Sequence, residues 1–202
     1  KKKKKMKVSL VCASYDLTYS ITQLNGPGEL SKQHNETKTS FATAQANRIV
    51  PTPDGRFAIC TNPFVIIADP KGSKAGSYNG HQTNVTDVVF VDNQFYTCSE
   101  DRTIKIWSKS TSRPQSSIST GASLNAISIL PDKVTLVTCN EKGAIEMFDI
   151  RNNERLAVLS IASCPVRSMA VTKDGTKIIA AMQNSTVHFI SNDNGTLKDE
   201  SE

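Results

Sequence analysis

The sequence predicts an all-β protein built from repeats of about 40 residues, and three observations indicate this. Turn aspartates recur 38, 40 and 42 residues apart, at Asp54, Asp92, Asp132 and Asp174. Residues at the end of the third predicted strand of each unit recur 39, 41 and 41 residues apart, at Ala68, Trp107, Phe148 and Phe189. Short apolar runs alternate with Gly, Asn and Asp turns, and no stretch of useful length has helical periodicity.

The third repeat, residues 78–108, is the clearest copy of the unit. It opens with Gly80-His81 and closes near Trp107, the single tryptophan of the chain. Three strands are predicted within it, at residues 85–91, 94–99 and 103–107. A Gly-His opening, short strands and a Trp ending resemble the WD-repeat family, whose repeats form the four-stranded blades of a β-propeller.

Copies of this unit that lack some of its motif residues lie on both sides of it. Five units are predicted, at residues 8–40, 45–70, 78–118, 119–159 and 160–191. A basic tail at residues 1–7 precedes them, and a polar, frayed tail at residues 192–202 follows. In the second unit, residues 71–77 are expected to form a loop because they are rich in Gly, Ser and Lys.

Strong turn signals fix the strands of the other units. They are Pro53-Asp54-Gly55-Arg56, Asn140-Glu141-Lys142-Gly143 and Lys173-Asp174-Gly175-Thr176. The strands predicted between these turns lie at residues 47–52, 57–60, 64–68, 124–130, 134–139, 144–148, 166–171, 177–182 and 186–190. The first unit has two, at residues 8–14 and 17–22.

The number of repeats and the start of the first one bear on ring closure. Five units fall short of the seven blades most common in the WD-repeat family, and no innermost strand precedes residue 8. We therefore expect a fragment or shortened product of a seven-bladed ring that lacks two blades and the closing strand. The alternative is a complete protein that closes on a partner.

The resemblance also implies roles for buried side chains. His81 is expected to bond to Asp101, with Ser99 and Trp107 completing a structural tetrad that satisfies buried polar groups. The second, fourth and fifth units lack the Gly-His and Trp residues, so we expect them to be held mainly by apolar packing. Third-strand residues expected to fill the gaps between blades are Ile104, Ile106, Ile145, Met147, Val187 and Phe189. Buried, reduced thiols are expected at Cys12, Cys60, Cys98 and Cys139.

Composition and motifs exclude several classes of function. Five of the positive charges behind the net charge of +5 lie in Lys1–Lys5, so a nucleic-acid surface is not indicated. No apolar run approaches the length of a membrane span. The sequence has no Gly-rich phosphate loop, no paired metal ligands and no Ser/His/Asp set at motif spacing. We therefore expect no catalytic residues, no cofactor and no metal.

A closer resemblance is to the family of small WD-repeat subunits of target-of-rapamycin (TOR) kinase complexes. Three stretches carry it: residues 11–18, residues 46–63 and the third repeat. The resemblance implies a non-enzymatic scaffold that binds and stabilises a large phosphatidylinositol-kinase-like kinase in growth signalling. It also implies a cytoplasmic location, with peripheral attachment to endomembranes through the complex.

Propeller partners usually dock on the top face, formed by the loops entering the first strand and the turns after the second. The candidate contacts there are Asn84, Thr86, Glu100, Glu141, Arg167 and Gln183. Three alternatives stay open at the level of sequence: a WD scaffold of another complex (RNA processing, vesicle coat or ubiquitin ligase), an enzyme, and RNA binding through Lys1–Lys5.

Overall fold

A computed structural model describes residues 8–13, 18–24, 36–40 and 45–201. Blade 1 contains β1 (Val8–Ala13), β2 (Thr18–Leu24) and β3 (Glu36–Ser40). Blade 2 contains β4 (Arg48–Pro51), β5 (Phe57–Cys60), β6 (Phe64–Ala68) and β7 (Lys74–Asn79). Blade 3 contains β8 (Val85–Val91), β9 (Gln94–Ser99), β10 (Thr103–Ser108) and β11 (Pro114–Ser119). Blade 4 contains β12 (Leu124–Ile129), β13 (Thr135–Asn140), β14 (Ala144–Asp149) and β15 (Glu154–Ser160). Blade 5 contains β16 (Val166–Val171), β17 (Lys177–Met182), β18 (Val187–Asp193) and β19 (Thr196–Asp199).

Each blade is an antiparallel meander in which every strand pairs with the next one along the chain. Tight turns make this possible, because Gly55, Gly143 and Gly175 adopt positive φ angles of 81°, 79° and 74°. Hydroxyl groups reinforce the first turn of a blade, which joins its first and second strands. In blade 5, Thr172 Oγ1 donates to Asp174 Oδ1 at 2.6 Å. The described residues contain strands and turns only, which confirms the predicted all-β fold; blades 2 to 5 have four strands each, and three strands of blade 1 are described.

The core consists of apolar layers between successive blades. The innermost strands meet in the order β1, β4, β8, β12 and β16. Between blades 3 and 4, Ile104 and Ile106 pack against Leu124 and Phe148. Four such layers are present among the described residues, one for each pair of successive blades. Blade stacking therefore buries both faces of blades 2 to 4, which a single repeat could not do alone.

Three outer-strand and burial predictions were wrong. The loop expected at residues 71–77 contains the start of β7, so the second unit extends beyond residue 70. The frayed tail expected at residues 192–202 contains the end of β18 and all of β19. Cys12 is exposed, whereas the other three thiols named above are buried. The basic run Lys1–Lys5 lies outside the described residues.

The register of blade 5 corrects one landmark. Phe95 pairs with Trp107, Leu136 with Phe148 and Ile178 with Ile190, so Ile190, not Phe189, is the counterpart of Trp107. A shift of one residue places a side chain on the opposite face of a sheet. Ile190 is accordingly fully buried, while Phe189 and Val187 stay 48% and 50% exposed on the face of blade 5 that no described sheet covers.

Candidate partner-binding face and buried polar network

A chain of hydrogen bonds runs through the interior of blade 3. Trp107 Nε1 donates to Thr97 Oγ1 at 2.8 Å, and His81 Nε2 lies 2.7 Å from the same hydroxyl. His81 Nδ1 lies 2.8 Å from Asp101 Oδ2. Because the indole can only donate, the Thr97 hydroxyl gives its own proton to His81 Nε2, and the imidazole donates from Nδ1 to the carboxylate.

Charge states follow from the same geometry. Burial lowers the pKa of His81 below its usual value, although Asp101 opposes that shift. Burial pushes the pKa of Asp101 up, but hydrogen bonds from the Thr103 hydroxyl, the Gln82 N–H and His81 outweigh it and lower the pKa overall. At neutral pH the pair is therefore a neutral imidazole that donates to a carboxylate.

Ser99 has a different role from the one expected. Its hydroxyl donates to the Asn84 carbonyl at 2.7 Å and accepts the Asp101 N–H at 3.1 Å, so it supports the turn around the carboxylate. Thr97, which is not part of the expected tetrad, is the residue that joins His81 to Trp107. Strand alternation could have indicated Thr97 from the sequence, because Phe95, Thr97 and Ser99 share one face of β9.

The order Thr97, His81, Asp101 has the residue types of a nucleophile, a base and an orienting acid. Thr97 is fully buried, and its hydroxyl is engaged by both Trp107 and His81. A hydroxyl in that position satisfies one buried donor, the Trp107 N–H, and one buried acceptor, His81 Nε2, and cannot reach a carbonyl substrate in solvent. The network is built to rigidify the blade.

Blade 4 carries a different buried network. Register aligns Thr138 with Thr97 and Phe148 with Trp107, so blade 4 has no indole N–H to donate to this hydroxyl. Among the described residues, Thr138 Oγ1 is the one buried side-chain oxygen or nitrogen without a hydrogen-bond partner. Apolar packing, the main contribution expected in this blade, is accompanied there by a buried polar pair, Asn140 and Glu146.

A second set of polar side chains lies beside Thr138, whose direct partner on the neighbouring strand is Glu146. Asn140 Nδ2 donates to Glu146 Oε1 at 2.9 Å, and Arg155 lies 3.3 Å from Glu146 Oε2. Glu146 is 3% exposed, so this carboxylate needs both donors.

The top face of blade 3 contains one predicted pair. Asn84 Nδ2 donates to Glu100 Oε2 at 2.9 Å, so the two candidate contacts bond to each other. The Ser123 hydroxyl donates to the Glu100 carbonyl at 2.9 Å and ties this turn to blade 4. The side chains are held in place by neighbours and still face solvent.

The top face of blades 4 and 5 contains a second set. Arg167 Nη1 donates to Glu141 Oε1 at 2.7 Å, and Nη2 donates to Gln183 Oε1 at 2.9 Å. The side chains of Arg167 and Glu141 are 50% and 36% exposed. One guanidinium thus connects the turns of two blades in a charged, solvent-facing cluster.

Thr86 links blades instead of facing a partner. Its hydroxyl lies 2.9 Å from the Leu124 carbonyl of the next blade. The same link recurs where Asn47 donates to the Val85 carbonyl at 3.0 Å and Asn125 donates to the Val166 carbonyl at 2.8 Å. In blades 3 to 5 a β-bulge falls at this position, and such a bulge re-aims the extra side chain.

Ligand chemistry is sparse in the described part of the chain. No group of three or more His, Cys, Asp or Glu side chains there could hold a metal ion. None of the described residues forms a helix long and apolar enough to span a membrane. The described top face offers polar and charged side chains on a fixed backbone, which suits recognition of another protein.

Comparison with known proteins identifies first a class. Residues 72–108 match the family model described as WD domain, G-beta repeat. The matched segment contains His81, Thr97, Asp101 and Trp107, and so the whole buried network of blade 3. The WD-repeat character predicted from the third repeat is confirmed.

The chain is also similar to particular proteins. It is 29% identical over 181 residues to "Target of rapamycin complex subunit wat1" of Schizosaccharomyces pombe, covering 86% of this chain and 55% of that protein. It is 29% identical over 185 residues to "Target of rapamycin complex subunit LST8" of Saccharomyces cerevisiae, covering 87% and 58%. For "Target of rapamycin complex subunit LST8-1" of Arabidopsis thaliana the values are 28% over 193 residues, 90% and 60%. The predicted resemblance to this group is confirmed, and the chain spans less than two thirds of these relatives' length.

Proposed function

We propose that the chain is a non-catalytic WD-repeat scaffold of a TOR complex, whose top face binds and stabilises the kinase domain. The observation that carries this is the similarity to three TOR complex subunits across 86% to 90% of the chain. The similarity extends over 181 to 193 residues, so it does not reflect the third repeat alone.

The geometry of the top face supports this function. Hydrogen bonds between blades hold the turns that carry Glu100, Glu141 and Gln183, so little order has to be gained on binding. Carboxylate, guanidinium and amide groups alternate across the surface, which favours a partner surface with complementary charges. Asn84 and Arg167 contribute through the same contacts.

A non-catalytic role fits the buried network, because its hydroxyl and imidazole groups are consumed in structural hydrogen bonds. The complex would operate in the cytoplasm, with attachment to endomembranes through its other subunits. No cofactor is required for this function.

Affinity purification tests the proposal. The tagged chain, expressed in cells of its own organism, is expected to recover a large phosphatidylinositol-kinase-like kinase of the TOR type. A chain carrying the blade 3 substitution Trp107→Ala controls for non-specific capture, because it removes a fully buried side chain. Reproducible recovery of RNA-processing, vesicle-coat or ubiquitin-ligase components without such a kinase would favour the other-scaffold alternative and contradict the proposal.

A further inference from the structure

The bottom face, at the opposite edge of the sheets, has a groove between blades 4 and 5. Its volume is about 450 Å³. Leu130, Met147 and Leu156 form apolar walls, and Asp132 and Asp174 stand at the rim. Leu156 is 52% exposed, one of the few large apolar side chains left open to solvent in the described chain.

The corresponding groove between blades 2 and 3 is nearly filled, with a volume of about 20 Å³. Tyr78 lies across it, and its hydroxyl donates to the Lys109 carbonyl of blade 3 at 3.2 Å. Arg56 donates from both Nε and Nη2 to Oδ2 of Asp54, which lies in the first turn of blade 2. An aromatic ring and a guanidinium supplied by the chain itself thus occupy this groove.

Register identifies what blade 4 has at the same two positions. Val65 pairs with Tyr78 in blade 2, and its counterpart Ile145 pairs with Leu159 in blade 4, so Leu159 replaces the tyrosine. In the first turn, the Arg56 carbonyl accepts the Thr52 N–H, and in blade 4 the Thr135 carbonyl accepts the Leu130 N–H, so Thr135 replaces the arginine. The groove between blades 4 and 5 is open because both filling groups are missing.

The open groove carries two carboxylates, and Arg151, which interacts electrostatically with Asp132, is paired with Asp149. The Thr172 hydroxyl and the Thr176 N–H hold the pKa of Asp174 below its usual value. Burial raises the pKa of Asp132, but hydrogen bonds from the Thr135 hydroxyl and nearby N–H groups outweigh it and lower the pKa. Both carboxylates are therefore ionised at neutral pH, and no cationic side chain lines this groove within the described part of the chain.

We propose that this groove between blades 4 and 5 binds an arginine side chain of a partner protein. The aliphatic stem would pack on Leu130, Met147 and Leu156, and the guanidinium would pair with Asp132 and Asp174. The partner thereby supplies from outside what Arg56 and Tyr78 supply from within between blades 2 and 3. This site goes beyond the proposed kinase contact, because it lies on the opposite face from the candidate contacts.

The test titrates the whole chain with N-acetyl-arginine N-methylamide and follows backbone amide signals by NMR. Saturable shifts are expected at Gly175, Asn194 and Gly195, which line the groove. N-acetyl-citrulline N-methylamide, the neutral analogue of the same shape, is expected to bind about fivefold more weakly, the effect of one exposed ion pair at the upper end of its range.

Two variants and one control sharpen the result. Thr135→Arg places a cation beside Asp132 as Arg56 stands beside Asp54, and it is expected to abolish binding. Asp174→Asn keeps the acceptor for the turn and is expected to weaken binding about fivefold. Asp92→Asn, the matched change in the first turn of blade 3, is expected to leave binding unchanged.

Absence of saturable shifts at the groove, or equal binding of the arginine and citrulline probes, would overturn the assignment. So would full binding by the Thr135→Arg variant. The kinase plays no part in this measurement, so its outcome is separate from the test of the proposed function.

Discussion

Thr97 and Thr138 occupy equivalent positions in neighbouring blades, and replacing each with valine measures what the buried network contributes. Valine puts a methyl group of similar size in place of the hydroxyl, so the change is chiefly one of hydrogen bonding. The two side chains are both fully buried. The hydroxyl has two partners in blade 3 and none among the described residues in blade 4.

The two substitutions are expected to change the free energy of unfolding in opposite directions. Thr97→Val leaves the Trp107 N–H and His81 Nε2 without partners, and each unsatisfied buried group costs about 1–3 kcal/mol, so we expect a loss of about 2–4 kcal/mol. Thr138→Val removes an unpartnered hydroxyl from the core, so we expect a gain of about 1 kcal/mol. The difference between the variants should be about 3 kcal/mol or more.

Urea unfolding at pH 7.5, followed by circular dichroism and by the fluorescence of the single tryptophan, measures both values. The melting temperatures should differ by about 6–12 °C, since 1 kcal/mol shifts a domain of this size by about 2–4 °C. Equal destabilisation by the two substitutions would refute the reasoning, because it would mean that Thr138 has a partner comparable to those of Thr97.

Three further predictions concern turns, protonation and thiols. Gly143→Ala should destabilise by about 3 kcal/mol or more, because a Cβ there would lie 1.8 Å from a backbone oxygen, whereas Gly55→Ala, with a similar φ and open space, should cost about 1 kcal/mol. Thermal melts of both variants check this, and equal losses would contradict it. Because burial lowers the pKa of His81, the folded state resists the proton that the unfolded state takes up, so stability should fall as pH drops below 6.5. An NMR titration in which this imidazole protonates at or above 6.5 would show the opposite. Burial raises the pKa of Cys139 to about 12, so a thiol reagent should modify exposed Cys12 well before it, and equal rates of modification would be inconsistent with the fold.

The central strands could be predicted from the sequence because two local signals coincide there. Turn residues such as Asp132 and Gly143 mark strand ends, and the apolar residues between them must face neighbouring blades. The outer strands could not be predicted so well. β7 and β19 are largely polar, and backbone pairing to the third strand forms them without an alternating apolar pattern.

Side-chain partners were harder to predict than strands. The choice between Thr97 and Ser99 depends on how β9 pairs with β10, which places Thr97 within reach of the Trp107 indole. The error at Phe189 has the same origin, because only the register shows that Ile190 faces the core. The open groove depends on residues more than 20 positions apart, such as Asp132 and Leu156, so no local motif signals it.

Direct binding of the purified chain to the purified TOR kinase domain tests the central claim that the top face is the kinase contact. Glu141→Arg and Arg167→Glu are compared singly and as a double exchange, which keeps the ion pair and reverses its direction. Glu154→Arg makes the same charge change at an exposed position on the outer strand of the same blade.

The account predicts saturable binding by the unmodified chain and about tenfold weaker binding by each single variant, since reversed charges in an interface are costly. The double exchange should stay equally weak, and Glu154→Arg should bind normally. Binding restored by the double exchange would show that the pair acts only within the propeller. Absence of binding by the unmodified chain would contradict the proposed function itself.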